Sequence, residues 1–222
     1  TTFDYCIFFG SLIPALLWGV TVGNLIQGTP IDAHMNFVGG FFDLLSPYTI
    51  LCGIAFILVF LYHGALYTCI KTVGAISERA RATALVEGVV TAVGALVLVG
   101  ATYVYTDLFK STLAAVAFAA AIICFLISWG VTRVRRPGLG FVFSCLTVIF
   151  VTVAYFAGLF PRIMVSSLDP AWSLTVSNAS SSTYTLTLMT VVALVFVPII
   201  LIYQAWTYWT FRHRVSEEDL HY

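Results

Sequence analysis

The sequence predicts an all-α fold, a polytopic transmembrane helix bundle with six spans in this chain. Three observations predict it. Sixty per cent of the 222 residues are apolar and 9% are charged, against roughly a quarter charged in a soluble domain, so lipid rather than water solvates most of the surface. Six runs reach the roughly 20 apolar residues that a helix needs to cross hydrocarbon. Lysine and arginine are shared very unevenly between the loops that join those runs.

The first run, about 5–26, carries Gly19 and Gly23 four residues apart, a face on which two backbones can approach closely. It also holds Pro14, whose missing donor leaves a carbonyl for a neighbouring helix or a hydroxyl such as Ser11 to satisfy. The second run, about 47–70, opens on Ser46 and Pro47, residue types suited to an N-cap and a first helical position. Asp43 lies just before it, where a negative charge favours the positive end of the helix dipole. In the third, about 82–105, Gly88, Ala92 and Ala95 again predict close backbone approach.

The fourth run, about 111–132, and the fifth, about 139–160, are cut apart by Arg135, Arg136, Pro137 and Gly138. Before the sixth, about 187–210, the polar side chains of Ser166, Ser167, Asn178, Ser180, Ser181 and Ser182 are expected to cap the helix and satisfy turn backbones. That last run contains Pro198 and ends on Trp206, Tyr208 and Trp209, the aromatic residues of a membrane interface. No stretch between the runs is long enough for a soluble domain, so residues 1–222 read as a single transmembrane domain.

Orientation follows from the cations, which are retained on the cytoplasmic side when they lie in short loops. One set of loops holds Lys71, Arg79, Arg81, Arg133, Arg135, Arg136, Arg212 and Arg214; the other holds Lys110 and Arg162. Both chain ends are therefore expected in the cytoplasm, with the longer loops, about 27–46 and 161–186, facing outward.

Charge also excludes a class of partner. Ten Lys and Arg balance ten Asp and Glu, which leaves no basic excess to neutralise nucleic-acid phosphates. The five cysteines, Cys6, Cys52, Cys69, Cys124 and Cys145, form no CxxC pair and read as small buried apolar residues.

Ionisable groups inside a span are costly and therefore informative. Two lie deep: His63 stands eight residues before Lys71 and Glu87 six after Arg81, roughly 12 and 9 Å in from the inner boundary at 1.5 Å per residue. Joined by a short antiparallel hairpin, they could meet and share a proton. Three readings stay open for them: buried polar residues that order the bundle, a proton relay, or haem ligation by His63. The last is the weakest, because no second histidine lies in a span to serve as an opposite axial ligand; His34 falls in an outer loop, and His213 and His221 in the tail. No nucleophilic motif of the GxSxG or HExxH kind occurs. A secondary transporter or channel subunit would use the same His and Glu pair, although Pro14 and Pro198 do not occupy matching halves as in an inverted repeat.

Several stretches carry a resemblance. GNLIQGTP at 23–30, FFDLLSPYTILCG at 41–53, KTVGAISERARATA at 71–84, FPRIMVSS at 160–167, SLTVSNASSSTYTLTLM at 173–189 and VPIILIYQAWTYWTFRHRV at 197–215 resemble subunit II of the cytochrome bd quinol oxidases, in the family's order. The resemblance implies the last six of eight spans, with two preceding Thr1, so the family's DGxDxG and WDGN segments lie outside this chain. It implies membrane-bound oxidation of ubiquinol or menaquinol coupled to reduction of oxygen to water, in the bacterial plasma membrane. It implies haem b and haem d in a partner, subunit I, and no haem ligand, catalytic residue or metal site here. The roles it leaves to this chain are assembly, proton access and a surface for quinone and lipid, with small single-span accessory subunits as further partners. At the positions matching His63 and Glu87, members of the family also carry Gln and a small residue.

Overall fold

The computed structural model describes residues 2–215; His221 lies outside them. Six long helices follow one another: α1 (Thr2–Gln27), α2 (Pro47–Lys71), α3 (Gly74–Tyr105), α4 (Thr112–Arg133), α5 (Pro137–Leu159) and α6 (Thr183–Thr210). Each is long and apolar enough to cross a membrane. A two-stranded antiparallel ribbon, β1 (Arg162–Met164) with β2 (Leu174–Thr175), folds the connection from α5 to α6.

The starts of the helices follow their local chemistry. Ser46 caps α2 by accepting from the Thr49 amide at 3.1 Å, and Pro47 takes the first turn, where its missing N–H costs nothing. Ser111 caps α4 and Ser182 caps α6 in the same way. Pro137 opens α5, two residues earlier than the hydropathy of the run suggested. Asp43 departs from its expected role. It sits in a 3-10 turn, Phe41–Leu44, and its carboxylate accepts from the Gly40 amide at 2.7 Å, closing that turn rather than facing the dipole of α2. Ser11 also differs: its hydroxyl donates to Ile7 and not to Gly10, the carbonyl that Pro14 frees.

The largest departure in extent is α3, which begins at Gly74 and not near residue 82. Only Thr72 and Val73 separate it from α2. Its first turns carry Glu78, Arg79 and Arg81, so the charges expected in a loop are helical. At 32 residues the helix is longer than the hydrocarbon requires, and an amphiphilic overhang keeps its backbone bonded while its charges leave the lipid. Glu78 joins Arg81 one turn on, at 3.0 Å, and Arg135 of the α4–α5 turn, at 3.1 Å.

Packing is uneven. The Gly19 and Gly23 face meets α2: a methyl group on Gly19 would lie 2.6 Å from the carbonyl oxygen of Cys52 and the Cα of Gly53. A methyl group on Gly88 would collide with Trp129 of α4 and lie 3.2 Å from the Tyr62 ring of α2. Ala92 and Ala95 do not continue that close approach; they line a cavity instead. Helices α4 and α5 are closely joined, and Ser128, Thr132 and Gly140 lie buried in their seam. No residue of α6 is buried, although its C-terminal end is tied to the α2–α3 turn by the Val215 amide donating to Lys71 and by the Lys71 ammonium donating to Phe211. The five cysteines are free thiols; Cys52 and Cys69 are buried, but Cys6 is exposed on α1, contrary to the expectation that all five are interior.

Candidate functional site

Three cross-links set the register of the α2–α3 hairpin: Tyr48 with Thr102, Leu58 with Thr91, and Tyr62 against Gly88. In that antiparallel register Glu87 stands at the level of His63, as depth counted from the charged turn suggests. Their neighbours differ. The His63 ring turns toward α5, where Nδ1 lies 2.7 Å from Ser144 Oγ and the ring stacks on Phe141 at 4.6 Å between centroids. Among the described residues no hydrogen bond or ion pair joins His63 to Glu87, and both are half-buried.

Ser144 has one hydrogen and two acceptors within reach, the Phe141 carbonyl at 2.9 Å and His63 Nδ1 at 2.7 Å. When it donates to the carbonyl, the imidazole donates from Nδ1 and leaves Nε2 as the acceptor nitrogen. A parallel chain runs beside it: Tyr62 OH donates to Ser128 Oγ at 2.8 Å, and Ser128 donates to the Gly140 carbonyl at 2.6 Å. Both chains end on carbonyls in the first turns of α5, so two aromatic side chains of α2 are tied to one short stretch of α5 through serines. An uncompensated hydroxyl in hydrocarbon costs about 1–3 kcal/mol, which is the physical reason these polar groups are paired.

The surroundings of His63 do not fit a haem. One face of the imidazole is covered by Phe141, and Tyr67, one turn on along α2, packs against the same phenyl ring at 5.8 Å, so α2 and α5 are closed together here. Among the described residues no group of three or more His, Cys, Asp or Glu could hold a metal ion.

The residues that carry the resemblance fasten the end of the bundle where α1 stops and α2 starts. Asn24, buried in α1, donates from Nδ2 to Leu44 at 2.8 Å and to Val20 at 2.9 Å. Gln27 accepts from Ser46 at 2.6 Å. Gly28 ends α1 at φ +106°, a left-handed conformation that favours glycine, with its amide on Asn24. Ser166, also buried, donates to Ile31 at 2.8 Å and so joins the α1–α2 and α5–α6 connections. Asn178 accepts from the Thr175 amide and donates to Ser173. Beside these, Gln27, Asp43, Ser46 and Ser167 line a hollow of about 460 Å³ at the same end of α1 and α2.

An ion pair that the sequence did not announce completes this end. Arg162 of β1 lies 2.8 Å from Asp107 in the α3–α4 connection, and this bond holds the Asp107 carboxyl below its ordinary range. Asp107 and Arg162 are 55 positions apart, and neither belongs to a periodic pattern, so only the fold brings them together. Ser144 was missed for a related reason. A lone serine in an apolar run reads as tolerated, and only its place opposite His63 gives it a role.

A bundle of six helices, each long and apolar enough to cross a membrane, defines a multi-pass membrane protein. The family model for cytochrome bd terminal oxidase subunit II matches residues 1–211. Similar proteins include cytochrome bd ubiquinol oxidase subunit 2 of Bacillus subtilis (strain 168), 35% identical over 218 residues, which cover 97% of this chain and 64% of that relative. Cytochrome bd-I ubiquinol oxidase subunit 2 of Escherichia coli (strain K12) is 34% identical over 253 residues, covering 98% and 66%. A probable cytochrome oxidase subunit 2 of Haemophilus influenzae is 31% identical over 243 residues, covering 94% and 64%. The chain thus spans just under two thirds of the length of these relatives. It belongs to the cytochrome bd terminal oxidase subunit II family, and it is a multi-pass protein of the bacterial plasma membrane.

Proposed function

We propose that this chain serves as the non-haem subunit of a cytochrome bd-type terminal oxidase that oxidises quinol and reduces oxygen to water. The match of the family model to residues 1–211 carries this reading. In it the six helices are the last six of eight spans, and both ends of the subunit face the cytoplasm, in keeping with the arginine-rich turns at 71–81 and 133–136. Haem b and haem d belong to subunit I, with which this chain assembles, and small single-span chains attend the pair. Ubiquinol or menaquinol is the reductant, and quinone and lipid lie along the apolar surface. His63 and Glu87 are the intramembrane groups offered to proton movement; their common depth supports this, and the Nε2 acceptor of His63 is the atom that would take a proton.

The transporter reading has no observation of its own, since the polar groups deep in the bundle pair with one another across helices and lead to no paired broken helices.

Purification under mild detergent through a tag on this subunit tests the proposal. The expected product carries a haem-bearing partner, seen as reduced-minus-oxidised absorption bands. A haem-free homo-oligomer isolated from cells that make the oxidase would overturn it.

A further inference from the structure

Among the described residues, the side chains of Glu87 on α3 and Gln204 on α6 make neither a hydrogen bond nor an ion pair. Both belong to helices long and apolar enough to cross a membrane, where a carboxyl or a carboxamide without a partner is costly. Glu87 is half-buried, and its neighbours along one face of α3, Thr83 and Val90, are exposed, so the carboxyl stands beside an uncovered strip of that helix.

The two groups lie at one level. Tyr62 against Gly88 sets Glu87 level with His63, which is eight residues, roughly 12 Å, from Lys71 along α2. Gln204 is seven residues, roughly 10 Å, from Phe211, whose carbonyl accepts from the Lys71 ammonium. Measured from that shared contact, Glu87 and Gln204 therefore stand within one helical turn of each other in height.

Helix α6 is free to approach. None of its residues is buried, and its C-terminal end is tied to the α2–α3 turn, where the Val215 amide donates to Lys71 and the Lys71 ammonium to Phe211. Helix α3 leaves from the turn at which α6 arrives, so the two run in opposite directions from one shared end. Between Pro198 and Thr210 the one half-buried residue is Thr207, three residues from Gln204 and so on the same face. Pro198 lacks the amide that would bond to Leu194, which leaves a point where the helix can bend.

We propose that α6 is a strap that closes on this strip of α3, pivoting about its tie to the α2–α3 turn, and that the Gln204 carboxamide pairs with the Glu87 carboxyl in the closed position. A carboxamide carries donors and an acceptor, so it satisfies the carboxyl with or without its proton. Apolar faces gain little by leaving lipid for one another, so an interhelical polar pair decides which faces meet. The tie at Lys71 makes the encounter intramolecular and keeps the two groups at a high effective concentration. This goes beyond the oxidase reading and does not depend on it.

The test is made on the protein in its own membranes, assembled as the cell makes it. Glu87→Cys combined with Gln204→Cys is expected to be joined by a short bis-maleimide in most chains, and Glu87→Cys combined with Ile202→Cys, on the opposite face of α6, in few. The link is read as two parts of the chain that stay together after protease cuts the α5–α6 connection, and the single variants discount the native thiols. Thermal midpoints of the detergent-solubilised protein form a cycle beside it. Gln204→Leu is expected to lower the midpoint, and to leave it unchanged once Glu87→Leu has removed the carboxyl. No link at Gln204, equal linking from Ile202, a link from Glu87→Cys to another polypeptide instead, or the same Gln204→Leu shift in both backgrounds would each overturn the proposal. Should the cysteine pair fail to assemble, the cycle decides. Absence of a haem-bearing partner leaves the α3–α6 link untouched, so the two proposals fail separately.

Discussion

His63 shows how much a single imidazole depends on its neighbour. An ionisable side chain deep in a span must pair or pay for its desolvation, and here it pairs with Ser144, which in turn donates to the Phe141 carbonyl. In the Nδ1–H tautomer the imidazole donates to Ser144 and leaves Nε2 as an acceptor. Ser144→Ala removes the acceptor and leaves the Nδ1–H without a partner; the expected cost is about 1–3 kcal/mol, read as a lower midpoint in thermal unfolding of the detergent-solubilised protein. In the double variant with His63→Leu, which carries no donor, most of that loss should disappear. A loss that persists unchanged would show that Ser144 acts through something other than the imidazole. Glu87 shares the level of His63 but not its neighbour, and the two must be probed separately.

At the scale of the helix, small residues mean two different things in one fold. Gly19 and Gly23 bring α1 against α2 so closely that no methyl group fits at Gly19, and this was readable from their spacing. Ala92 and Ala95 have the same kind of spacing, yet they line a cavity among α2, α3, α4 and α5. Spacing reports which face is small; the partner helix decides whether that face closes. Gly19→Leu should force α1 from α2 and lower stability by about 1–3 kcal/mol or more, the cost of overpacking, measured by the same thermal midpoint. Gly100→Leu, where nothing lies within 4 Å of an added Cβ, should change it little. Equal effects at the two positions would refute the close α1–α2 contact. Helix α6 extends the contrast: it is as apolar as the others, but buries none of its residues.

At the scale of the whole molecule, the two ends of the bundle are held by different devices. The end with the α2–α3 and α4–α5 turns uses the exposed Glu78 with Arg81 and Arg135, pairs that salt screens. The opposite end uses the buried Asn24 and Ser166 and the half-buried Ser46, together with the half-buried pair of Asp107 and Arg162. Because Arg162 depresses the Asp107 pKa in the folded protein, the pair stabilises the fold at pH values above the ordinary carboxylate range, and this contribution is lost as pH falls through that range and below it. Asp107→Asn should therefore lower stability by about 0.5–1 kcal/mol at neutral pH, a value discounted for partial exposure, and the difference from wild type should shrink on acidification. A pH-independent difference would remove the ion pair as its cause.

The sequence by itself determined the solvent, the number of spans to within a few residues at most ends, the helix caps at Ser46 and Ser182, and the family. Those properties depend on length, hydropathy and local hydrogen bonding, which are written in consecutive residues. Only the tertiary structure decided that α3 starts at Gly74, that His63 turns to Ser144, that Asp107 finds Arg162, and that alanines at helical spacing line a void. Each of these depends on the rotation and separation of neighbouring helices, and in a bundle where nearly every face is apolar, hydrophobic periodicity gives too weak a signal to fix either.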